Sequence, residues 1–159
     1  MNKPTKYFVM DVDGTLTDGK IYMGDDGEVM KAFNIKDGYG IHDLLPQAGI
    51  TPVIITGRAS HIVVNRCKEL GIEYLYQGIR DKESFLRDFL ARQGATPAEV
   101  AYAGDDLNDL GCMRYVKEHG GLVGAPADAC AQVREVADYV APMKGGEGAV
   151  RAFIEDVLL

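Results

Sequence analysis

Tyr7-Phe8-Val9-Met10 is an unbroken apolar run that passes directly into Asp11-Val12-Asp13-Gly14. A run of that length, closed at once by a glycine and a polar loop, predicts a strand buried on both faces of a parallel sheet. The signature recurs in Thr51-Pro52-Val53-Ile54-Ile55-Thr56, Tyr74-Leu75-Tyr76-Gln77, Val100-Ala101-Tyr102-Ala103-Gly104, Leu122-Val123-Gly124 and Tyr139-Val140. Between these runs lie helical segments. Residues 37–49 carry Ile41, Leu44 and Leu45 on one side, with Pro46 expected to distort the last turn; residues 60–70 end before Gly71, and Asp81 caps a helix that runs to Gln93 before Gly94. Residues 107–118, 128–136 and 147–158 supply three more, and Thr96-Pro97-Ala98-Glu99 is a capping box opening a brief turn. Strands alternating with helices predict an α/β fold with a doubly wound, Rossmann-like parallel sheet. One segment breaks the alternation: two apolar stretches flank Gly24-Asp25-Asp26-Gly27, a turn signal that predicts a β-hairpin at about residues 20–33, inserted after the first strand.

Composition narrows this picture. The 159 residues, 47% of them hydrophobic, suffice for one domain spanning 1–159 with a proper core. A net charge of −7 argues against nucleic acid or an anionic membrane as partner, so an anionic substrate must meet local positive charge or a metal. Cys67, Cys112 and Cys130 are odd in number, widely spaced and without a CxxC pair, which suits a reducing compartment. No apolar run approaches the ~18 residues of a membrane span, and the expectation is a soluble, cytoplasmic protein.

Candidate chemistry lies at the strand ends. The predicted topology places Asp11, Thr56, Lys82 and Asp105 each at the carboxyl end of a strand or the start of the following helix, and right-handed crossovers bring those ends to one edge of the sheet. Taken singly, each has an ordinary reading. Asp-x-Asp is an acidic turn, Thr56 an N-cap, Lys82 a surface lysine, and Asp105-Asp106-x-x-Asp109 favourable acid at a helix start. Converging carboxylates repel, however, and a hard divalent cation with oxygen ligands is the economical explanation.

The string Asp11-Val12-Asp13-Gly14-Thr15-Leu16-Thr17-Asp18-Gly19 resembles the first motif of the haloacid dehalogenase-like (HAD) phosphatases. Ile55-Thr56-Gly57-Arg58, then Lys82, then Gly104-Asp105-Asp106-Leu107-Asn108-Asp109 match that family in its usual order. Asn34-Ile35-Lys36-Asp37-Gly38-Tyr39-Gly40 and Gly145-Gly146-Glu147-Gly148-Ala149-Val150-Arg151 look like the small capless branch, in particular the phosphatases of 3-deoxy-D-manno-octulosonate (KDO) 8-phosphate. The resemblance implies Mg²⁺-dependent hydrolysis of a phosphorylated sugar acid through an aspartyl-phosphate. It implies Asp11 as nucleophile, Asp13 as acid and base, Lys82 and the Thr56 hydroxyl on the phosphoryl oxygens, and Mg²⁺ on the Asp11 and Asp105 carboxylates and the Asp13 carbonyl, with Asp106 and Asp109 nearby or acting through water.

Substrate contacts are expected from Asp13, Thr56, Gly57, Arg58, Lys82 and Arg151, the planar fork of Arg58 being suited to a carboxylate. The alternatives are a phosphatase of a nine-carbon sialic or ketodeoxynononate 9-phosphate, for which an acid is expected where Arg58 stands, and a non-catalytic oligomerisation domain related to sialic-acid cytidylyltransferases. A receiver domain orders its acids, Thr and Lys differently. The resemblance further implies a homotetramer assembled through the hairpin, through Ile21, Met23, Val29 and Phe33, with active sites near subunit interfaces and a glycine-rich C-terminal segment able to fold over substrate.

Overall fold

The computed structural model describes residues 4–159; residues 1–3, inside the expected 1–159 span, lie outside it. Six parallel strands form one sheet: β1 (Tyr7–Met10), β4 (Thr51–Ile55), β5 (Tyr74–Tyr76), β6 (Val100–Ala103), β7 (Leu122–Ala125) and β8 (Tyr139–Val140), in the order β5-β4-β1-β6-β7-β8. A separate antiparallel ribbon, β2 (Tyr22–Gly24) with β3 (Gly27–Met30), is the expected hairpin. The chain winds outward from β1 through β4 to β5, then returns to β6 on the other side of β1. That reversal opens a crevice between the carboxyl ends of β1 and β6, the place where sheets of this kind receive ligands.

Period-two alternation explains why the strands are apolar throughout. Phe8, Met10, Ile54 and Ala101 face one helix layer, packing with Ile41, Leu45, Val63 and Phe153, while Val9, Val53, Ile55 and Tyr102 face the other, with Leu86, Phe89, Met113 and Val133. Each Val, Leu, Ile, Phe or Met among them contributes roughly 1.5–3 kcal/mol by leaving water. No helix among the described residues is long and apolar enough to cross a membrane.

The helices depart from expectation at their ends. The first begins at Ile35, because the Asn34 side chain accepts the Lys36 N–H as N-cap. It runs as α1 (Ile35–Tyr39) through a π turn (Gly40–Leu44), in which the Leu45 N–H reaches back to the Gly40 carbonyl, into α2 (Leu45–Gln47). The distortion thus precedes Pro46, whose missing N–H leaves the α register unsupported there. The helices α3 (His61–Leu70), capped by Ser60, and α4 (Lys82–Gln93), capped by Asp81, match the reading closely, as does α5 (Leu110–Glu118) after a short 3₁₀ turn at Leu107–Asp109.

The expected helix at 128–136 is only α6 (Ala131–Val136), since the Asp128 carboxylate is taken by the Gly145 N–H in a loop. The last helix starts late, as α7 (Ala149–Phe153), because Gly148 sits at φ 103°. Phe33 was expected among the hairpin's apolar side chains but packs against the core instead.

Candidate active site

Two strand ends build the centre of the site. Asp11 follows β1 directly, its N–H donating to the Ala103 carbonyl (3.1 Å) and so tying the end of β1 to that of β6. The chain then turns sharply, with the Leu16 N–H on the Val12 carbonyl (2.8 Å). At the turn Gly14 has φ 89°, and a Cβ there would lie 2.0 Å from Asp105 Oδ2, so only glycine lets the two strand ends approach. Asp105 stands two residues after β6, where Thr15 Oγ1 donates to its Oδ1 (2.9 Å). Lys82, first residue of α4, is wholly enclosed and places Nζ 3.0 Å from Asp11 Oδ1 and 3.0 Å from Asp109 Oδ1.

One carboxylate oxygen from each of Asp11, Asp105 and Asp109 lies within 4.8 Å of the other two, with one ammonium beside them. Burial, and then the charges of Asp11 and Asp109, push the Asp105 carboxyl up to about 8. The Asp11 carboxyl is raised by burial and by Asp109, against the pull of Lys82. Asp109 is saturated: its Oδ1 accepts from Lys82 and from Tyr102 Oη (2.7 Å), its Oδ2 from the backbone N–H groups of Asp105 (2.9 Å) and Asp106 (3.3 Å). It is the scaffold that shapes the loop after β6 and holds Lys82. Asp11 and Asp105 remain as paired acids that one ammonium cannot hold ionised together, and a divalent cation with oxygen ligands supplies the missing positive charge.

Asp11, Asp13, Thr56, Gly57, Arg58, Asp105, Asp106 and Asn108 line one cleft of about 180 Å³, with Lys82 in contact with Asp11. A larger hollow of about 490 Å³, next to α7, is lined by Lys36 and Arg151 but has no comparable convergence of acids. Arg151, expected among the substrate contacts, is not among the residues that line the cleft. Its guanidinium bonds Glu155 (2.6 Å) and the Lys36 carbonyl (3.2 Å), and lies over the Tyr39 ring. The glycine-rich segment, expected to be able to fold over substrate, packs against the loop after β1: a Cβ on Gly145 would lie 1.9 Å from the Gly14 carbonyl oxygen, and one on Gly146 2.6 Å from the Asp18 nitrogen. These glycines serve close approach in this chain.

Two residues that contact the cleft's lining side chains escaped the sequence reading. The fully enclosed ammonium of Lys31, just past β3, contacts Asp13 Oδ1 (2.5 Å) and Glu28 Oε2 (3.0 Å). Burial opposes its charge, but the two carboxylates more than offset that and hold its pKa above the ordinary value. Glu28 also accepts from Arg58 Nη2 (3.3 Å) and Ser60 Oγ (3.0 Å), so the hairpin is stitched to the loop after β4. Nothing in local periodicity marks either residue; the lysine reads as one more hairpin cation.

No family model matches the chain. The chain is 46% identical over 154 residues, 97% of its length and 79% of the relative's, to the 3-deoxy-D-manno-octulosonate 8-phosphate phosphatase KdsC of Escherichia coli (strain K12). Among solved structures, it matches the phosphatase of that name from Moraxella catarrhalis, in complex with magnesium, phosphate and KDO, at TM-score 0.89 and 42% identity, over 97% of this chain and 86% of that one. A structure described as a HAD superfamily (subfamily III A) hydrolase from Legionella pneumophila matches at TM-score 0.88 and 38% identity, over 95% and 80%.

Proposed function

This chain belongs to the 3-deoxy-D-manno-octulosonate 8-phosphate phosphatase family of the HAD superfamily, and on that premise we propose that it hydrolyses KDO 8-phosphate to the free sugar acid and phosphate. The observation that carries the reading is the meeting of Asp11, Asp105 and Lys82 at the crevice between β1 and β6, with Asp11 and Lys82 3.0 Å apart. Asp11 attacks phosphorus, the bond to the sugar oxygen breaks, and Asp13 gives that oxygen its proton. Asp13 then takes a proton from the water that attacks the aspartyl-phosphate, releasing phosphate and restoring Asp11. Lys82, locked on Asp109, opposes the charge of Asp11 and of the phosphoryl oxygens, and the Thr56 hydroxyl and the backbone at Gly57 hold those oxygens. The carboxylates of Asp11 and Asp105 with the Asp13 carbonyl would hold Mg²⁺, which supplies the positive charge that lets a phosphate dianion approach the acids.

Arg58 carries the preference for a sugar acid: its guanidinium is half exposed at the cleft and held only by one 3.3 Å contact to Glu28, so a substrate carboxylate can take it over. An arginine here, where an acid is expected for a nine-carbon sugar acid 9-phosphate, favours the eight-carbon substrate. The intact set of Asp11, Asp13, Lys82 and Asp105 speaks against a retired assembly domain. We read the chain as one domain whose hairpin serves assembly. Ile21, Met23, Val29 and Met30 are all exposed on it, an apolar surface that a two-stranded ribbon cannot bury alone. A cytoplasmic homotetramer, with active sites near the subunit contacts, satisfies that surface and the three free cysteines. Phosphate release measured on KDO 8-phosphate, a nine-carbon sugar acid 9-phosphate and neutral sugar phosphates tests the reading. Turnover of KDO 8-phosphate no faster than of the neutral sugars would overturn it.

A further inference from the structure

Lys31 has its side chain enclosed where a lysine is expensive, and it contacts the carboxylate assigned the proton transfers. Its side chain is 0% exposed, and its two contacts are Asp13 Oδ1 and Glu28 Oε2, at 2.5 and 3.0 Å. Asp13 itself is 19% exposed toward the cleft, so one of its oxygens is occupied from behind while the carboxylate still faces substrate. Buried ion pairs of this kind often add little stability over well-packed apolar residues. A stability role alone gives no reason to aim a compact, threefold donor at this one carboxylate. Glu28 anchors the arrangement: it binds Lys31 on its own hairpin, and Arg58 and Ser60 in the loop after β4.

We propose that Lys31 is the positioning residue of Asp13. It holds Oδ1, leaving Oδ2 as the oxygen that delivers the proton to the leaving group and later takes one from water. Asp13 enters the first step protonated on Oδ2, and that proton moves to the departing oxygen as the phosphorus–oxygen bond breaks; in the second, a water proton returns to Oδ2 as the aspartyl-phosphate opens. Lys31 stays an ammonium throughout. Because Lys31 rides on the hairpin, whatever docks on the hairpin also sets the geometry of the proton transfer. The inference rests on the phosphatase reading above and adds a residue to it.

Leaving-group dependence separates this role from a merely structural one, since an alkoxide needs a proton to depart and a dinitrophenolate does not. In the full-length protein, with the assembly state checked by light scattering, single-turnover release of the leaving group is measured for wild type, Lys31→Met and Asp13→Asn, on a sugar-acid phosphate and on 2,4-dinitrophenyl phosphate. Lys31→Met is expected to slow release from the sugar phosphate by ~10²-fold, at the lower end of what positioned acid catalysis supplies, and from the dinitrophenyl ester by less than ~5-fold, with little change in KM. Lys31→Ala with added ethylammonium should recover at least a tenth of the lost rate, and it serves in place of Lys31→Met if that variant does not fold. Equal losses on both esters, or no loss on either, overturn the inference while leaving the phosphatase intact, provided Asp13→Asn remains selective for the sugar ester. Failure of wild type to release either leaving group defeats the underlying reading instead.

Discussion

Asp37 offers a sharp quantitative test of how the C-terminal segment is held. This carboxyl is 2% exposed, accepts the Arg151 N–H through Oδ1 (2.9 Å) and leaves Oδ2 without a partner. Burial raises it from 3.8 to about 6, against the backbone N–H groups of Arg151 and Gly148 and the charges of Arg151 and Arg66. A raised native value means that folding favours the protonated form. The associated stability is fully present below pH 3.8, declines as pH rises from 3.8 to 6, and is absent above that window. At about 1.4 kcal/mol per pH unit, the window is worth about 3 kcal/mol. Asp37→Asn keeps an acceptor for the Arg151 N–H and abolishes the titration. The stability of the variant minus that of wild type is therefore expected to fall by about 2.4 kcal/mol between pH 7.5 and pH 4, whatever constant offset the amide introduces. Urea unfolding of both proteins at matched concentration and half-unit pH steps measures this double difference, in which the other carboxylates cancel. A difference that is flat with pH, or that rises on acidification, would refute the reasoning and mean that Arg66 and Arg151 hold Asp37 charged.

Further expectations concern the cleft. Asp11→Asn removes the nucleophile and should lower turnover by at least ~10⁴-fold, read as phosphate release; a tenth of wild-type activity surviving would reject a covalent mechanism. EDTA should abolish turnover and Mg²⁺ restore it, and because the Asp105 carboxyl titrates at about 8 without a cation, Mg²⁺ affinity measured by calorimetry should weaken by up to about tenfold per pH unit below that value, with proton release on binding. Arg58→Ala should reduce kcat/KM for a sugar-acid phosphate by ~10²-fold, the scale of a lost charge-assisted contact, and that for an aryl phosphate only slightly; equal losses would place Arg58 on the phosphoryl group. Ile21→Asp should dissociate the assembly seen by light scattering, and an unchanged mass would show that the hairpin is not its contact.

Local patterns determined much of this protein. Short apolar runs mark all six sheet strands, because the inner strands, buried on both faces, have little place for polar residues, and Ser60, Asp81 and Gly71 mark helix ends because capping is a matter of neighbouring atoms. The order of the four motifs placed Asp11, Thr56, Lys82 and Asp105 at one edge, since parallel strands joined by right-handed crossovers must end together. What the tertiary structure alone decided are the contacts between elements far apart in the chain. Lys31 meets Asp13 across 18 positions because a twisted hairpin folds back on the loop after β1. Arg151 is drawn away from the cleft by an α7 whose backbone is fixed to Asp37, 114 positions earlier. Asp109, which reads as one more acid in a cluster, becomes a saturated scaffold only when Tyr102 and Lys82 arrive from β6 and α4. The glycines at 145 and 146 lie close to Gly14 and Thr17 only in the folded chain, where backbone must pass within van der Waals reach of backbone. Sequence periodicity reports which face of an element leaves water; it carries no record of which distant polar group that element will meet.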